Sequence, residues 1–326
     1  PRVQCAKGCG TKRVDVPWAR PGTGFTLLFE AMLIPLCKAM PIKAVADLIG
    51  EQDTRIWRIL HHYVDEAREK LDFSEVTNVG MDETASKRGH HYVSIFCDMD
   101  EKRIMFATKG KDKSVVASFK KDFEQHKGDA DKVEQATCDM SPSFIAGVKE
   151  QLPNADITFD RFHLMKLLNE AVDEVRREEV KSNDALKKTR YIWLKNPNNL
   201  TIKQQETYQG LSQLNLKTSR AYQMRLNFQE FFKQGNKEAG EEFLKKWYYW
   251  ATHSQLEPMI KVAKTFKRHW SGIINWFESQ LSTGLLEGMN SLIQSAKSRA
   301  RGYRSDRNLV AMCYLIGGKL EFDLPT

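Results

Sequence analysis

The chain has 326 residues, of which 41% are hydrophobic and 28% charged, so it can bury a substantial core and is not a disordered polymer. Its formal net charge of +8 permits a phosphate-bearing partner but does not require one. The longest apolar stretches, such as residues 25–36 with Glu30 and Pro35 inside, are too short and too interrupted to cross a bilayer, so no membrane span is expected.

The first 24 residues are rich in Gly, Pro, Lys and Arg and include Cys5 and Cys9 in the segment CAKGCG. Two thiolates this close on a glycine-rich turn can form half of a tetrahedral Zn²⁺ site, and no second half follows downstream. Because the chain opens at Pro1 in the middle of this motif, we expect the missing ligands upstream; two incidental thiols are the alternative. The other cysteines lie in apolar surroundings and are interpreted as reduced core residues of a cytoplasmic protein. They are Cys37, Cys97, Cys138 and Cys313.

Residues 25–73 show a helical pattern in three segments, and this spacing predicts a helix-turn-helix. Asp53 or Thr54 would cap the third helix, which on this interpretation lies in a DNA major groove. Its exposed N-terminal face would present Thr54, Arg55 and Arg58 to the DNA. The residues expected to face inward are Ile56, Trp57, Ile59 and Leu60. A three-helix bundle that does not bind DNA is the alternative.

After residue 73 the periodicity becomes that of strands. Three short segments rich in Val, Ile, Tyr and Phe, at 75–83, 90–100 and 102–110, are separated by turn residues, which is typical of hairpin-linked strands. Helical and extended patterns then alternate up to residue 160. The resulting order, β-β-β-α-β-α-β, predicts a mixed sheet flanked by helices.

Residues 161–280 carry no strand pattern and consist of amphipathic helices, after which the core resumes. The aromatic run 247–250 in this block is interpreted as helix packing rather than as a platform for unpaired bases. The predicted fold class is therefore α+β and multi-domain, with an N-terminal helix-turn-helix and a mixed β-sheet core interrupted by a large all-α insertion. The predicted domains are 1–24, 25–73, 74–160, 161–280 and 281–326.

Carboxylates occur where strands of this core are expected to end. Asp82 ends the first predicted strand and Asp139 the fourth, so neighbouring strands would bring the two acids together. Such a pair repels unless a cation intervenes, and Glu287 on an adjacent helix would complete a site for Mg²⁺ or Mn²⁺. Two such ions can activate a water or hydroxyl and stabilise the leaving oxygen of a phosphodiester displacement. Turn or capping acids are the alternative.

Three segments resemble, in the same order, the bacterial ISL-three insertion-sequence transposases: GMDETASKRGHHYVSIFCD, TCDMSPSFIAGVKEQLPNADITFDRFHLMK and TGLLEGMNSLIQSAKSRARGYR. The resemblance covers nearly the whole chain. It implies an RNase H-like DDE domain in which Asp82, Asp139 and Glu287 are the catalytic acids and hold the metals. Asp160 and His163 match the D-x-x-H motif of related enzymes. His163 would then hydrogen-bond a catalytic carboxylate or the scissile phosphate, unless it only caps a core helix.

Basic and amide side chains follow Glu287 on the same predicted helix and the loop after it. They are interpreted as contacts to phosphates flanking the scissile bond, with a solvated basic face as the alternative. These residues are Asn290, Lys297, Arg299, Arg301 and Arg304. Two features depart from the family. Gln294 stands near a position that is often basic, and the gap between Cys5 and Cys9 is wider than usual, which puts Zn²⁺ binding in doubt.

The resemblance implies a transposase that binds terminal inverted repeats and target DNA, cleaves and joins strands, and works as a homo-oligomer in the bacterial cytoplasm near the nucleoid. Two alternatives stay open. One is a catalytically inactive or domesticated copy that still binds DNA. The other is an RNase H-like nuclease for RNA–DNA hybrids, which would need no repeat recognition.

Overall fold

In a computed structural model, the described residues are 2–279, 281 and 284–325. The chain divides into two compact units, and each is treated by itself. The first unit comprises Pro1–Val133, Ala146–Pro153 and Gly284–Thr326. The second unit comprises Glu134–Ile145 and Asn154–Thr283.

The first unit begins with a short antiparallel hairpin followed by three helices. The elements are β1 (Arg2–Gln4), β2 (Thr11–Arg13), α1 (Leu27–Ala39), α2 (Ile42–Ile49) and α3 (Asp53–Glu69). Gly50 ends α2 with a φ of 71°, a left-handed conformation that glycine adopts without strain, and this allows the sharp turn into α3. The helix-turn-helix is therefore present. The predicted cap of α3 is wrong, because Gln52 occupies the cap position and no side chain caps there.

A polar cluster lies inside this helical part of the first unit. Glu30 is completely buried; it accepts a hydrogen bond from Arg20 Nε at 2.7 Å and another from the Tyr63 hydroxyl at 3.1 Å. The ion pair between Arg20 and Glu30 connects α1 to the segment that precedes it. The hydrogen bond between Tyr63 and Glu30 connects α1 to α3. Since a buried carboxylate needs such partners, the cluster fixes how the three helices meet.

The predicted strand meander is also in the first unit. It consists of β3 (Asn78–Lys87), β4 (His91–Asp98) and β5 (Arg103–Lys109), and both pairings are antiparallel. Asp82 pairs with Ile95 and lies in the middle of β3, not at its end as predicted. The strand continues because Glu83 and Thr84 still pair with Ser94 and Val93 of β4, a non-local pairing that outweighs the turn preference of acidic residues.

Helices complete the first unit around the meander. They are α4 (Ser114–Gln125), the C-terminal part of α5 (Pro142–Gln151), and the last two helices of the chain, which are introduced below. Phe119 of α4 stacks on Phe96 of β4 with ring centroids 4.4 Å apart, and both rings are fully buried. The apolar side of the meander is thus a real core face.

The second unit contains one parallel strand pair, β6 (Gln135–Cys138) and β7 (Asp156–Phe159), in which Cys138 pairs with Phe159. The described α-helices of this unit that follow β7 form a helical block. These are α6 (Arg161–Glu179), α7 (Arg190–Trp193), α8 (Ile202–Ser212), α9 (Lys217–Phe228), α10 (Lys237–Thr252), α11 (Glu257–Arg268), α12 (Trp270–Ile274) and α13 (Trp276–Ser279). The last two helices of the chain, α14 (Gly284–Arg299) and α15 (Asp306–Gly317), belong to the first unit.

The helical block of the second unit has an aromatic core. Trp247 is 2% exposed, packs edge-on against Phe228 at 4.9 Å, and donates its indole N–H to the Met224 carbonyl at 3.0 Å. For Trp247 the packing interpretation is confirmed. The α+β, multi-domain class with a helix-turn-helix is confirmed as well, and no helix among the described residues is long and apolar enough to cross a membrane.

Candidate active site and nucleic-acid interface

Helix α14 runs along strand β3, and every fourth residue of the helix contacts every second residue of the strand. Leu286 packs on Gly80, where a Cβ atom would lie 3.1 Å from a Leu286 methyl and 2.3 Å from Met99 Sδ. Four residues further along the helix, Asn290 contacts Asp82; after another four, the Gln294 amide donates to Thr84 Oγ1 at 2.6 Å. The i, i+4 repeat of the helix therefore matches the alternation of the strand. Gly80 leaves the space for this close approach.

Asp82 lies at the centre of this contact and is half-buried. Its Oδ2 accepts a hydrogen bond from Asn290 Nδ2 at 2.5 Å, and its Oδ1 accepts one from the Glu83 N–H at 2.7 Å. Glu287 lies in the first turn of α14, three residues before Asn290, and its side chain is exposed. Since residues three apart share a helix face, Glu287 is on the side of α14 that meets Asp82.

The donor atoms here suit a hard divalent cation. Asp82 and Glu287 offer carboxylate oxygens, and Asn290 Oδ1 is buried without accepting a hydrogen bond from any described residue. Oxygen ligands of this kind fit Mg²⁺ or Mn²⁺ rather than Zn²⁺. Across the described residues, no three His, Cys, Asp or Glu side chains are grouped closely enough to be recognised as a metal site.

In the second unit, two other predicted acids, Asp139 and Asp160, lie at the same end of the parallel strand pair. Asp139 and Asp160 directly follow Cys138 and Phe159, which are register partners of the parallel pair. Asp139 accepts the Ser141 N–H at 2.9 Å. Asp160 is 5% exposed; it caps α6 through the Phe162 N–H at 2.8 Å and contacts His163 Nδ1 at 3.0 Å. The D-x-x-H motif is thus a capping contact as well as a candidate catalytic pair.

The residues predicted to read DNA lie in the first half of α3. Thr54 and Arg58 are exposed, whereas Arg55 is half-buried. The Arg55 guanidinium pairs with Glu51 at 2.7 Å and lies 4.1 Å from the centre of the Phe25 ring. Arg55 therefore holds the entry to α3 in place, while Thr54 and Arg58 face outward.

A cleft of about 640 Å³, called here the recognition cleft, lies between α3 and the loop after α14. Thr54, Arg58 and Arg304 line it. The other lining residues are Pro41, Ile42, Lys43, Asp53, Trp57, His61, Ala300, Gly302, Tyr303, Arg307 and Asn308. Trp57, predicted to face inward, is half-buried and meets Tyr303 edge-on at 5.9 Å.

A second cleft of about 750 Å³, called the basic cleft, lies between the end of β3 and the end of α14. Its lining residues are Ser86, Lys87, Arg88, Gln294, Lys297, Ser298, Arg301, Gly302, Tyr303 and Arg304. The Lys297 ammonium donates to the Ala85 carbonyl at 2.5 Å, and burial lowers the pKa of Lys297. Arg299 is outside this cleft and donates to the Ala39 carbonyl at 2.9 Å.

Sequence reasoning did not single out four basic residues that line these clefts. They are Lys43, Lys87, Arg88 and Arg307. The tight turn SKRG, with its two adjacent cations next to the strand that carries Asp82, was the available signal for Lys87 and Arg88. No sequence signal pointed to Lys43 or Arg307, because only the packing of distant segments places these two residues in a cleft.

Two family models match the chain. One, described as a transposase and specific for the ISL3 DDE type, matches residues 79–313, and one described as the helix-turn-helix domain of transposase family ISL3 matches residues 14–64. The chain belongs to the ISL3 (ISL-three) transposase family. The resemblance noted in the sequence is thereby confirmed.

Individual relatives are also transposases. The chain is 27% identical to the transposase for insertion sequence element IS1557 of two strains of Mycobacterium tuberculosis, over 97% of this chain and 77% of that protein. It is 26% identical to the transposase for insertion sequence element IS1001 of Bordetella parapertussis, over 72% of this chain and 59% of that protein. The chain is therefore a transposase with a helix-turn-helix and a DDE domain. Its family implies DNA binding, DNA processing and use of a divalent metal.

The predicted Zn²⁺ site has no support in the structure. The sulfur atoms of Cys5 and Cys9 lie 3.1 Å apart, and hydrogen bonding from Cys9 lowers the pKa of Cys5. Among the described residues no third ligand joins them, whereas a structural Zn²⁺ ion needs four. Within the described part of the chain, Cys5 and Cys9 are therefore a close thiol pair and not a complete metal site.

Proposed function

We propose that this ISL3 transposase binds the terminal inverted repeats of an insertion sequence through its helix-turn-helix, cleaves the DNA to expose a 3′ hydroxyl, and joins that hydroxyl to target DNA. The observation that carries the proposal is the contact of α14 with β3, where Asn290 holds Asp82 and Glu287 lies one turn earlier on the same face. Ordinary packing of a helix on a strand does not require an amide that donates to a half-buried carboxylate, with a second carboxylate one turn earlier on the helix.

Asp82, Asp139 and Glu287 are proposed as the carboxylates that hold two Mg²⁺ or Mn²⁺ ions. The ions would polarise the scissile phosphate and the attacking oxygen. The chain itself would orient these carboxylates: Asn290 and the Glu83 N–H fix Asp82, and the Ser141 N–H fixes Asp139. His163, held by Asp160, is proposed as a donor to a catalytic carboxylate or to the phosphate.

The DNA contacts are proposed in two sets. Thr54 and Arg58 would contact bases from α3, with Arg55 supporting them. Lys297, Arg301 and Arg304 would contact phosphates, and Arg299 would assist, since it uses only part of its donors internally. Asn290, predicted from the sequence as a phosphate contact, is proposed instead to orient Asp82. Because joining requires two DNA ends in one complex, we propose that the active form is a homo-oligomer.

The substitution Asp139→Asn tests the catalytic assignment. We expect loss of Mg²⁺-dependent strand cleavage on an end-bearing duplex, with DNA affinity unchanged. Asp184→Asn, at an exposed carboxylate of the same unit, is the matched control and should cleave normally. Cleavage that persists in Asp139→Asn would refute the assignment. A wild-type chain that binds but does not cut would favour the inactive copy, and cutting of RNA–DNA hybrids regardless of repeats would favour the nuclease.

A further inference from the structure

Residues 299–308, from the last residue of α14 to the first turn of α15, are called here the connecting segment, and this segment is attached to the helix-turn-helix at three points. Tyr303 meets Trp57 of α3 edge-on at 5.9 Å. Asn308 Oδ1 lies 3.0 Å from His61 Nε2 of α3, and Arg299 donates to the carbonyl of Ala39 at the end of α1 at 2.9 Å. Three contacts to two helices leave little freedom between the connecting segment and the helices that read DNA.

The same segment is attached to the strands of the meander. Lys87 of β3 donates to the Arg304 carbonyl at 3.2 Å, and Lys109 of β5 pairs with Asp306 at 3.1 Å. β3 is the strand that carries Asp82. The connecting segment is therefore fixed at one side to the recognition helix and at the other to the strand of the candidate active site, all within the first unit.

The recognition cleft and the basic cleft share one wall, Gly302–Arg304. Arg301 and Gly302 have φ values of 54° and 95°, a left-handed turn that shapes this wall. Cations line both sides of it. They are Lys43, Arg58, Arg304 and Arg307 in the recognition cleft, and Lys87, Arg88, Lys297, Arg301 and Arg304 in the basic cleft. Asp53 is the one acid that lines either cleft among the described residues.

A continuous cationic surface of this kind fits an extended polyanion, and duplex DNA carries about one negative charge per 1.7 Å of its axis. We propose that the connecting segment carries the duplex between the sequence bound by α3 and the bond to be cut, and that its contacts with α3 and β3 fix the number of base pairs between them. Tyr303 and Asn308 act as positioning residues and Arg304 and Arg307 as phosphate contacts. This inference rests on the proposed function and specifies the path of the DNA.

The experiment maps the cut position at nucleotide resolution on an end-labelled duplex for Tyr303→Ala with Asn308→Ala. We expect affinity for the duplex to change by no more than about threefold, because these residues position rather than bind. Cuts should spread over several neighbouring bonds instead of one. Tyr303→Phe keeps the ring against Trp57 and should cut at the single wild-type position. Tyr249→Ala changes an exposed aromatic residue of the second unit and should also cut at that position. A single unshifted cut in the double variant would overturn the inference.

A DNA footprint tests the cationic surface without requiring cleavage. It also keeps the proposal testable if Tyr303→Ala with Asn308→Ala does not fold. Arg304→Glu with Arg307→Glu changes two exposed side chains. It should remove protection of the base pairs between the α3 site and the cleavage site and weaken binding about tenfold to a long duplex, and it should weaken binding less to a duplex limited to the α3 site. An unchanged footprint would refute the DNA path. A wild-type protein that shows this protection without cutting would refute the proposed cleavage instead, so the two failures are distinguishable.

Discussion

Asn290 has the contacts expected of a residue that sets the geometry of a catalytic acid. Its Nδ2 donates to Asp82 and its Oδ1 is buried. We expect Asn290→Ala to lower cleavage by about 10–100-fold, the usual cost of losing a hydrogen bond that orients a metal ligand, while DNA affinity changes less than about twofold. Cleavage rates and filter-binding affinities measure the two effects.

Asn199→Ala, at an exposed asparagine of the second unit, is the matched control and should behave as wild type. The sequence alone predicted Asn290 as a phosphate contact. Equal losses of affinity and cleavage in Asn290→Ala would favour that prediction over the positioning role.

The six cysteines differ in burial: Cys5 and Cys9 are partly or fully exposed, and the other four are buried. Hydrogen bonding lowers the pKa of Cys5 from 9.0, so its reactive thiolate forms at lower pH than that of an ordinary thiol. Burial raises the pKa of Cys37 and Cys313 to about 12 and also raises those of Cys97 and Cys138. At neutral pH we expect iodoacetamide to label the N-terminal pair and none of the other four, as read by mass spectrometry.

Cys5→Ser should remove the fast labelling, and the rate for Cys5 should rise with pH and reach half of its maximum at a pH below 9.0. Labelling that Zn²⁺ blocks and a chelator restores would instead revive the metal site. Fast labelling of the core cysteines would contradict their burial.

At the scale of elements, the fit of α14 on β3 depends on the small size of Gly80. A Cβ at this position would press on Met99 Sδ at 2.3 Å and on Leu286 at 3.1 Å. Gly80→Ala should therefore cost about 1–3 kcal/mol of unfolding free energy and also lower cleavage, because α14 must shift away from Asp82. Urea denaturation and the cleavage assay measure the two effects.

Gly288→Ala is the matched control, since no atom lies within 4 Å of a Cβ there and alanine favours the helix by up to about 1 kcal/mol. This variant should be as stable as wild type or more so. If Gly80→Ala were equally neutral, the contact between α14 and β3 would not be tight.

Local sequence patterns predicted the elements well, and non-local contacts account for what they missed. Short segments rich in Val, Ile, Tyr and Phe between turn residues located the meander, and helical periodicity in three segments located the helix-turn-helix. The end of β3 was wrong because pairing with β4 extends the strand past Asp82. No local spacing could show that Asn290 meets Asp82 or that Trp57 meets Tyr303, since each pair is joined by more than two hundred residues of chain. The candidate acids were predicted from their expected places at strand ends and from the quoted motifs, and their catalytic role stays a prediction.

At the scale of the whole chain, the net charge of +8 is modest, so its distribution matters more than its size. In the second unit many cations pair locally with acids, as Lys245 and Lys246 of α10 do with Glu241 and Glu242. The two clefts of the first unit instead gather cations around a shared wall. DNA affinity should therefore depend on where the charge is removed.

Replacing Lys297, Arg301 and Arg304 by Gln removes three cations from the basic cleft. Each phosphate contact contributes about 0.9 to the slope of log affinity against log salt, so the slope should fall by about 2–3 while the sequence that is cut stays the same. Affinities between about 50 and 200 mM salt give the slope, and sequencing of the products gives the cut site.

The control removes the same charge from exposed lysines of the second unit. Lys187, Lys203 and Lys233 replaced by Gln should leave the slope within about one unit of wild type. If both triple variants reduced the slope equally, attraction by the overall charge would explain binding and the basic cleft would have no special role. A changed cut sequence in the cleft variant would show that these residues read bases, because phosphate contacts alone carry no sequence information.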